Sequence, residues 1–215
     1  MATRLFLVRH AETTLTAEDR FAGSIQALLS DHGRHQAQQL AHRLSDFTPA
    51  AIYASPMQRT VETAEILAAP HDLPVQTDDR LREIDHGRWE GLTRAEVQAR
   101  YPMEAGMWLA DPYNFAPVGG EPGRSVVERA APAIKEIVAA HAGELVFVVS
   151  HKATLRLIIG YFLGIDLSGY RDRLDQRPAC LNVLEFKNPD DARLALLNDV
   201  SHYLEDLIAE HPHIV

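Results

Sequence analysis

Two histidines in this sequence stand directly behind apolar runs. His10 follows Leu5-Phe6-Leu7-Val8-Arg9, and His151 follows Leu145-Val146-Phe147-Val148-Val149-Ser150. Strands that each carry a histidine at the carboxyl end can bring two imidazoles to one edge of a parallel sheet, where open α/β proteins hold their ligands. A neutral imidazole nitrogen is a competent nucleophile toward phosphorus. Arg9 offers a planar fork to phosphate oxygens, and Arg59, in the first turn after Ser55-Pro56, offers a second. His151 can donate to phosphoryl oxygens and, if protonated, adds charge that matches the transition state. Glu83 precedes a turn at His86-Gly87, where a carboxylic acid facing a phosphate pocket can serve as general acid. This chemistry calls for no metal and no cofactor, and the chain offers no Asp-x-Asp cluster or His-x-x-x-His pair to bind one.

Each residue also has a plainer reading. A histidine after a strand is more often a hydrogen-bonded structural group. Arg59 alone would pair with Glu62 one turn on, and Glu83 alone would sit on the surface beside Arg80 or Arg82. The joint occurrence in order is what favours chemistry.

The elements that must position these residues follow from periodicity. Strands are expected at about Leu5–Val8, Ala51–Ala54, around Val75, Leu145–Val149, Leu181–Phe186 and Leu194–Leu197. Between them, Ala37, Leu40, Ala41 and Leu44 fall at helical spacing in a helix opened by Asp31. Ser55-Pro56 reads as an N-cap with proline at the first helical position, starting a helix to about Leu67. Thr93-x-x-Glu96 is a capping box, and Ser125-x-x-Glu128 reads as a cap for a helix to about Ala140. A further helix is expected over Ala153–Leu163, and a short one in the tail from about His202. The β/α alternation predicts a three-layer α/β/α sandwich whose sheet is mostly parallel with one antiparallel strand. One domain is expected over residues 1–215, with an irregular lid or specificity insertion at about 101–124, where prolines and glycines crowd.

At 215 residues, 46% hydrophobic and 24% charged, the chain has the composition of a globular protein with a full core. Its 21 basic and 30 acidic residues give a net charge of −9, which argues against a nucleic-acid or anionic-membrane surface. A small anion needs only a local cluster of arginines. The lone Cys180, the absence of a membrane-length apolar run and a start without signal-peptide layout point to a cytoplasmic protein. Its oligomeric state, monomer or homodimer, is open.

The residues resemble the histidine phosphatase superfamily in its phosphoglycerate-mutase-like branch. The matching segments are Leu7-Val8-Arg9-His10-Ala11-Glu12-Thr13, Arg20-Phe21-Ala22-Gly23, Leu29 to Arg34 with Gln36-Ala37, Ala54 to Arg59 with Glu62-Thr63-Ala64, Leu81 to Gly91, Gly120-Glu121, Val148 to His151, and Leu197-Asn198-Asp199. The resemblance implies that His10 is phosphorylated, that Arg9, Arg59 and His151 line the phosphate pocket, and that Glu83 protonates the leaving group and then activates water. It also places Gly23 at the phosphate. Four departures stand out. Ala11 replaces a usual Gly, Thr16 replaces an Asn and could donate one hydrogen bond to phosphate, and Lys152-Ala153 replaces Gly-Gly. Lys152 would then add a cation for a second anionic group, or be an ordinary surface lysine. Pro122 stands where Ser is common.

The segment from Glu83 to Gly91 is more typical of phosphatases than of mutases. The leading expectation is therefore a metal-independent phosphatase acting on a small phosphorylated metabolite, a sugar phosphate, a phospho-acid or an α-ribazole-type phosphate. A phosphoglycerate mutase is the alternative, and a non-catalytic phosphate-ligand module or a protein phosphatase ranks lower. Trp108, Tyr113, Phe115, Lys152 and the arginines 171, 173 and 177 are candidate specificity residues. His86 is placed to reach the pocket. The histidines at 32, 35, 42, 71, 141, 202, 211 and 213 read as surface residues.

Overall fold

The computed structural model describes residues 1–204. In chain order the elements are β1 (Thr3–Arg9), a one-turn α1 (Thr14–Ala17), α2 (Asp31–Leu44), β2 (Ala51–Ala54), α3 (Gln58–Ala68), β3 (Val75–Thr77), α4 (Arg94–Arg100), α5 (Pro102–Ala110), α6 (Gly123–Ala140), β4 (Leu145–Ser150), α7 (Lys152–Phe162), a one-turn α8 (Tyr170–Arg173), β5 (Leu181–Asn188) and β6 (Asp191–Asp199). The strands form one sheet in the order β3-β2-β4-β1-β5-β6. β5 pairs antiparallel with both of its neighbours and alone runs against the other five, so the expected sandwich with one antiparallel strand is what forms.

The alternation of β1 and β4 divides the core between two faces. Leu5, Leu7, Val146 and Val148 pack with Ile134 and Ile137 of α6 and Ile158 and Ile159 of α7. Phe6, Val8, Phe147 and Val149 face the other way, onto Leu40 and Leu44 of α2 and Ala64 and Leu67 of α3. Every residue of β4 is buried, as a central strand covered on both faces requires. β6, at the sheet edge, alternates exposed and half-buried positions.

Two expected caps are not caps. Ser55 does not cap α3; the helix starts two residues later behind Met57, with no side-chain cap. Ser125 lies inside α6, which begins at Gly123. The box at Thr93 and Glu96 is present. The segment 101–124 is less irregular than its prolines suggested, because Pro102 occupies the first turn of α5, where its missing N–H costs nothing. Trp108 on α5 packs with Trp89, Val97 and Ala105. In the tail, Ser201–Tyr203 form a single 3₁₀ turn. The rest of the expected tail helix, with His211 and His213, lies outside the described residues.

Candidate active site

β1 and β4 are parallel with Arg9 opposite Ser150, so the next residue of each strand is a histidine at the same sheet edge. The His10 amide donates to the Ser150 carbonyl at 2.9 Å, and the two imidazole centroids stand 5.3 Å apart. β2 ends one residue short of β4 in register, with Ala54 opposite Val149, and Ser55 follows it directly.

A cavity of about 300 Å³ opens over this edge, lined by Arg9, His10, Arg59 and Glu83 among others. His10 is 2% exposed. Its Nδ1 lies 2.8 Å from the Ala11 carbonyl oxygen. A carbonyl only accepts, so Nδ1 carries the proton and Nε2 keeps its lone pair. Burial, then Arg59 and Arg9, push the His10 imidazole well below its ordinary range, because a charged ring would be stripped of water beside two cations.

His151 is fully buried and is not among the cavity-lining side chains. Arg59 Nε donates to its Nδ1 at 3.2 Å, so the ring proton sits on Nε2 and is donated to Ser55 Oγ at 2.8 Å. Burial, then Arg59 and His10, hold this ring neutral as well. The protonated His151 considered from the sequence would have to give up the hydrogen bond that its Nδ1 accepts from Arg59 Nε. Ser55, misread as a cap, is instead the partner that fixes the tautomer of His151.

Arg59 does not pair with Glu62, which instead holds Arg34 and the Leu29 amide. Its guanidinium is buried and donates to the carbonyls of Ile25 at 2.8 Å and Gly23 at 2.9 Å. Burial, and after it Arg9, bring it down to about 10 against the opposing pull of Glu83, so it remains a cation at neutral pH. Arg9 donates through Nη1 to the Gln176 carbonyl at 2.8 Å, while its Nε is buried without a partner.

Glu83 caps the helix that starts behind His151. Its carboxylate accepts from the amides of Ala153 and Thr154 at 3.3 and 3.2 Å, and from the Thr154 hydroxyl at 3.2 Å. The Arg80 and Arg82 pairing it could have had is taken by Asp78, Glu136 and Asp79.

Of the other sequence candidates, Thr16, Gly23, Lys152, Trp108, Arg171, Arg177 and His86 line the cavity. The Thr16 hydroxyl is engaged in the α1 capping box and donates to the Thr13 carbonyl at 2.9 Å. Gly23 adopts φ +43, and a Cβ there would meet Glu90 Oε1 at 1.9 Å. His86 lies 4.7 Å from the Phe21 ring, and burial pushes it down to about 4. Tyr113 and Phe115 pack against hydrophobic clusters that include cavity-lining residues, but are not themselves in the lining. Arg173 is also absent from its lining. Of the remaining histidines expected at the surface, His35 and His42 are exposed, while His32, His71, His141 and His202 are half-buried.

Sequence reasoning missed Arg94, Arg156 and the carbonyl of Gln176. Arg156 had a usable signal: it stands four residues after Lys152 in the same helix, hence on the same face.

Among the described residues no group of three or more His, Cys, Asp or Glu could hold a metal ion, and no helix is long and apolar enough to cross a membrane.

Comparison with known proteins agrees with this geometry. The model of the histidine phosphatase superfamily (branch 1) matches residues 5–200. Phosphoserine phosphatase 1 of Hydrogenobacter thermophilus is 38% identical over 78% of this chain and 79% of its own length. Glucosyl-3-phosphoglycerate phosphatase of Mycolicibacterium vanbaalenii is 33% identical over 78% and 77%. The chain spans 55% of the length of some longer mycobacterial relatives, to which it is 34% identical. Among solved structures, Bacillus stearothermophilus YhfR superposes with a TM-score of 0.88 at 34% identity, covering 94% of this chain and 99% of that one. A histidine-ended sheet edge beneath a cationic cavity, in a chain whose residues 5–200 match the family model and 78% of which aligns with named phosphatases, identifies this chain as a member of the histidine phosphatase superfamily, branch 1, and as a phosphoric monoester hydrolase.

Proposed function

We propose that this phosphatase hydrolyses a small phospho-acid or sugar phosphate in two steps, through a phosphohistidine on His10. The observation that carries this reading is the state of His10: buried, neutral, with its proton fixed on Nδ1 and a bare Nε2. In the first step Nε2 attacks phosphorus and the ester P–O bond breaks. Glu83 gives a proton to the departing oxygen, and the alcohol leaves. In the second step Glu83 takes a proton from water, the resulting hydroxide attacks phosphorus, and the P–N bond breaks. Inorganic phosphate forms and Nε2 regains its lone pair.

Arg9 and Arg59 balance the charge of the phosphoryl oxygens. His151 acts from behind, holding Arg59 Nε and held in turn by Ser55. The transfer runs on the side chains of this chain alone. Two relatives are named for phosphoserine and glucosyl-3-phosphoglycerate, which supports a phosphorylated small acid as substrate here.

The test is a phosphate-release screen over p-nitrophenyl phosphate and a metabolite panel, with His10→Ala beside the wild type. Mass spectrometry without an acid quench should find the phosphoryl group on His10 during turnover. Hydrolysis at the wild-type rate by His10→Ala would overturn the scheme. Interconversion of 2- and 3-phosphoglycerate without net phosphate release would replace it with a mutase.

A further inference from the structure

The cavity carries far more positive charge than one phosphoryl group requires. Eight cationic side chains line it against three carboxylates, Asp19, Glu83 and Asp175, in a chain whose net charge is −9. Arg9 and Arg59 belong to the phosphoryl site. Arg20 is spent on Glu18 and Glu96, Arg171 pairs with Asp172 and lies over the Trp108 ring while its Nη1 is buried without a partner, and Arg94 leans toward Asp19 at 3.7 Å.

Lys152, Arg156 and Arg177 remain, and Asp175 is the one carboxylate beside them. Asp175 stands 3.4 Å from Arg156 and 3.9 Å from Arg177, with its side chain 60% exposed. It also accepts from the Gln176 amide and the Asn198 side chain. Arg156 is 7% exposed, and its Nε is buried with no partner. Lys152 forms no ion pair or hydrogen bond through its ammonium among the described residues. Burial, then Arg9 and Arg156, push that ammonium down to about 8.

Lys152 and Arg156 are one helical turn apart on the cavity face of α7. Like charges at that spacing oppose helix formation, and a buried guanidinium nitrogen without an acceptor is costly. An anion placed between them relieves the like-charge penalty directly. The α7 amides do not compete for it, because Glu83 already occupies those of Ala153 and Thr154.

We propose that Lys152 and Arg156, with Arg177 beside them, form a second anion subsite, and that the substrate is a phosphomonoester whose leaving group carries a carboxylate or a second phosphate. This rests on the phosphatase reading above and narrows its substrate class. The carboxylate or phosphate departs with the alcohol, while the phosphoryl group stays on His10.

Matched pairs test it. 3-Phosphoglycerate against glycerol 3-phosphate differs by a carboxylate, and fructose 1,6-bisphosphate against fructose 6-phosphate by a phosphate. Wild type should favour the more anionic member of at least one pair by about tenfold or more in kcat/KM, the usual scale for one well-placed charged contact. The pair that responds tells carboxylate from phosphate. Lys152→Gln and Arg156→Gln should each bring that ratio toward one, and Lys152→Glu should invert it. The ratio compares two substrates on one protein, so a loss of folded enzyme cancels. Equal kcat/KM within both pairs in wild type, or ratios untouched in all three variants, overturns the subsite and leaves the phosphatase reading standing. Absence of phosphate release from p-nitrophenyl phosphate and from every member of both pairs would instead overturn that reading.

Discussion

Acidification should cost this protein stability through two buried histidines, one of which the proposed chemistry needs neutral. His10 and His151 are 2% and 0% exposed and are held well below their ordinary range by burial and by Arg59. Unfolding releases both rings to a pKa near 6.5. The unfolded chain therefore binds more protons below that value, so stability rises with pH up to about 6.5 and falls as the pH drops below it. For a ring that stays neutral when folded, moving from pH 7 to pH 5 costs about 2 kcal/mol by linkage, or about 4 kcal/mol for the pair. That is a large share of the roughly 5–15 kcal/mol that holds a domain together.

The assay is urea unfolding at pH 7 and pH 5 in phosphate-free buffer, since phosphate bound to the native state would add its own stabilisation. His86, held at about 4, and carboxylates such as Asp78 and Asp199 also respond to pH. Comparing wild type with His10→Gln removes their contribution. The stability lost between pH 7 and pH 5 should be smaller in His10→Gln by about 2 kcal/mol. Equal losses in the two proteins would mean that His10 takes up a proton in the folded state over this range, and the neutral nucleophile would be refuted.

Two further substitutions probe the groups behind the cavity. Ser55→Ala strands the buried Nε2–H of His151 and should lower stability by about 1–3 kcal/mol, with kcat/KM falling because Arg59 loses its fixed partner; an unchanged kcat/KM would separate Ser55 from the site. Asn182 and Gln176 bond each other twice at 2.8 Å in the core, and the Gln176 carbonyl holds Arg9. Asn182→Leu should therefore cost about 3 kcal/mol or more by orphaning several polar atoms. Adding Gln176→Met should restore part of that stability without restoring kcat/KM, and purely additive losses in both would argue against a coupled pair.

Most of the site was legible because it lies at strand ends, where an apolar run fixes the residue that follows it. His10, His151 and Arg9 could be placed from Leu5–Val8 and Leu145–Ser150 alone, since parallel register carries one histidine to the other. Ser55 was misread for a physical reason: Ser-Pro before a helix satisfies the local rules for a cap, and only the approach of His151, 96 residues away in sequence, makes the hydroxyl more useful elsewhere. Pro102 misled in the opposite direction, because a proline reads as a breaker unless the helix is known to begin there.

The cavity wall was the least legible part. Lys152 stood out as a departure from the Gly-Gly of the resemblance, yet its meaning depends on which neighbouring cations are already paired. Arg20, Arg94 and Arg171 are indistinguishable from Arg156 by residue type, and all four line the cavity. Ion pairing separates them only in part: Glu18 and Glu96 take up Arg20, and Asp172 and the Trp108 ring take up Arg171, whereas Arg156 shares the exposed Asp175 with Arg177 and stands one helical turn from the unpaired Lys152. Arg156 Nε and Arg171 Nη1 are both buried without a partner. In the proposed scheme strand ends set where phosphorus is attacked, while the balance of charges left unpaired around the wall would select what the phosphate is attached to. The second depends on side chains from the loop after α1, from α4, α7 and α8, and from the turn after α8, which no single stretch of sequence contains.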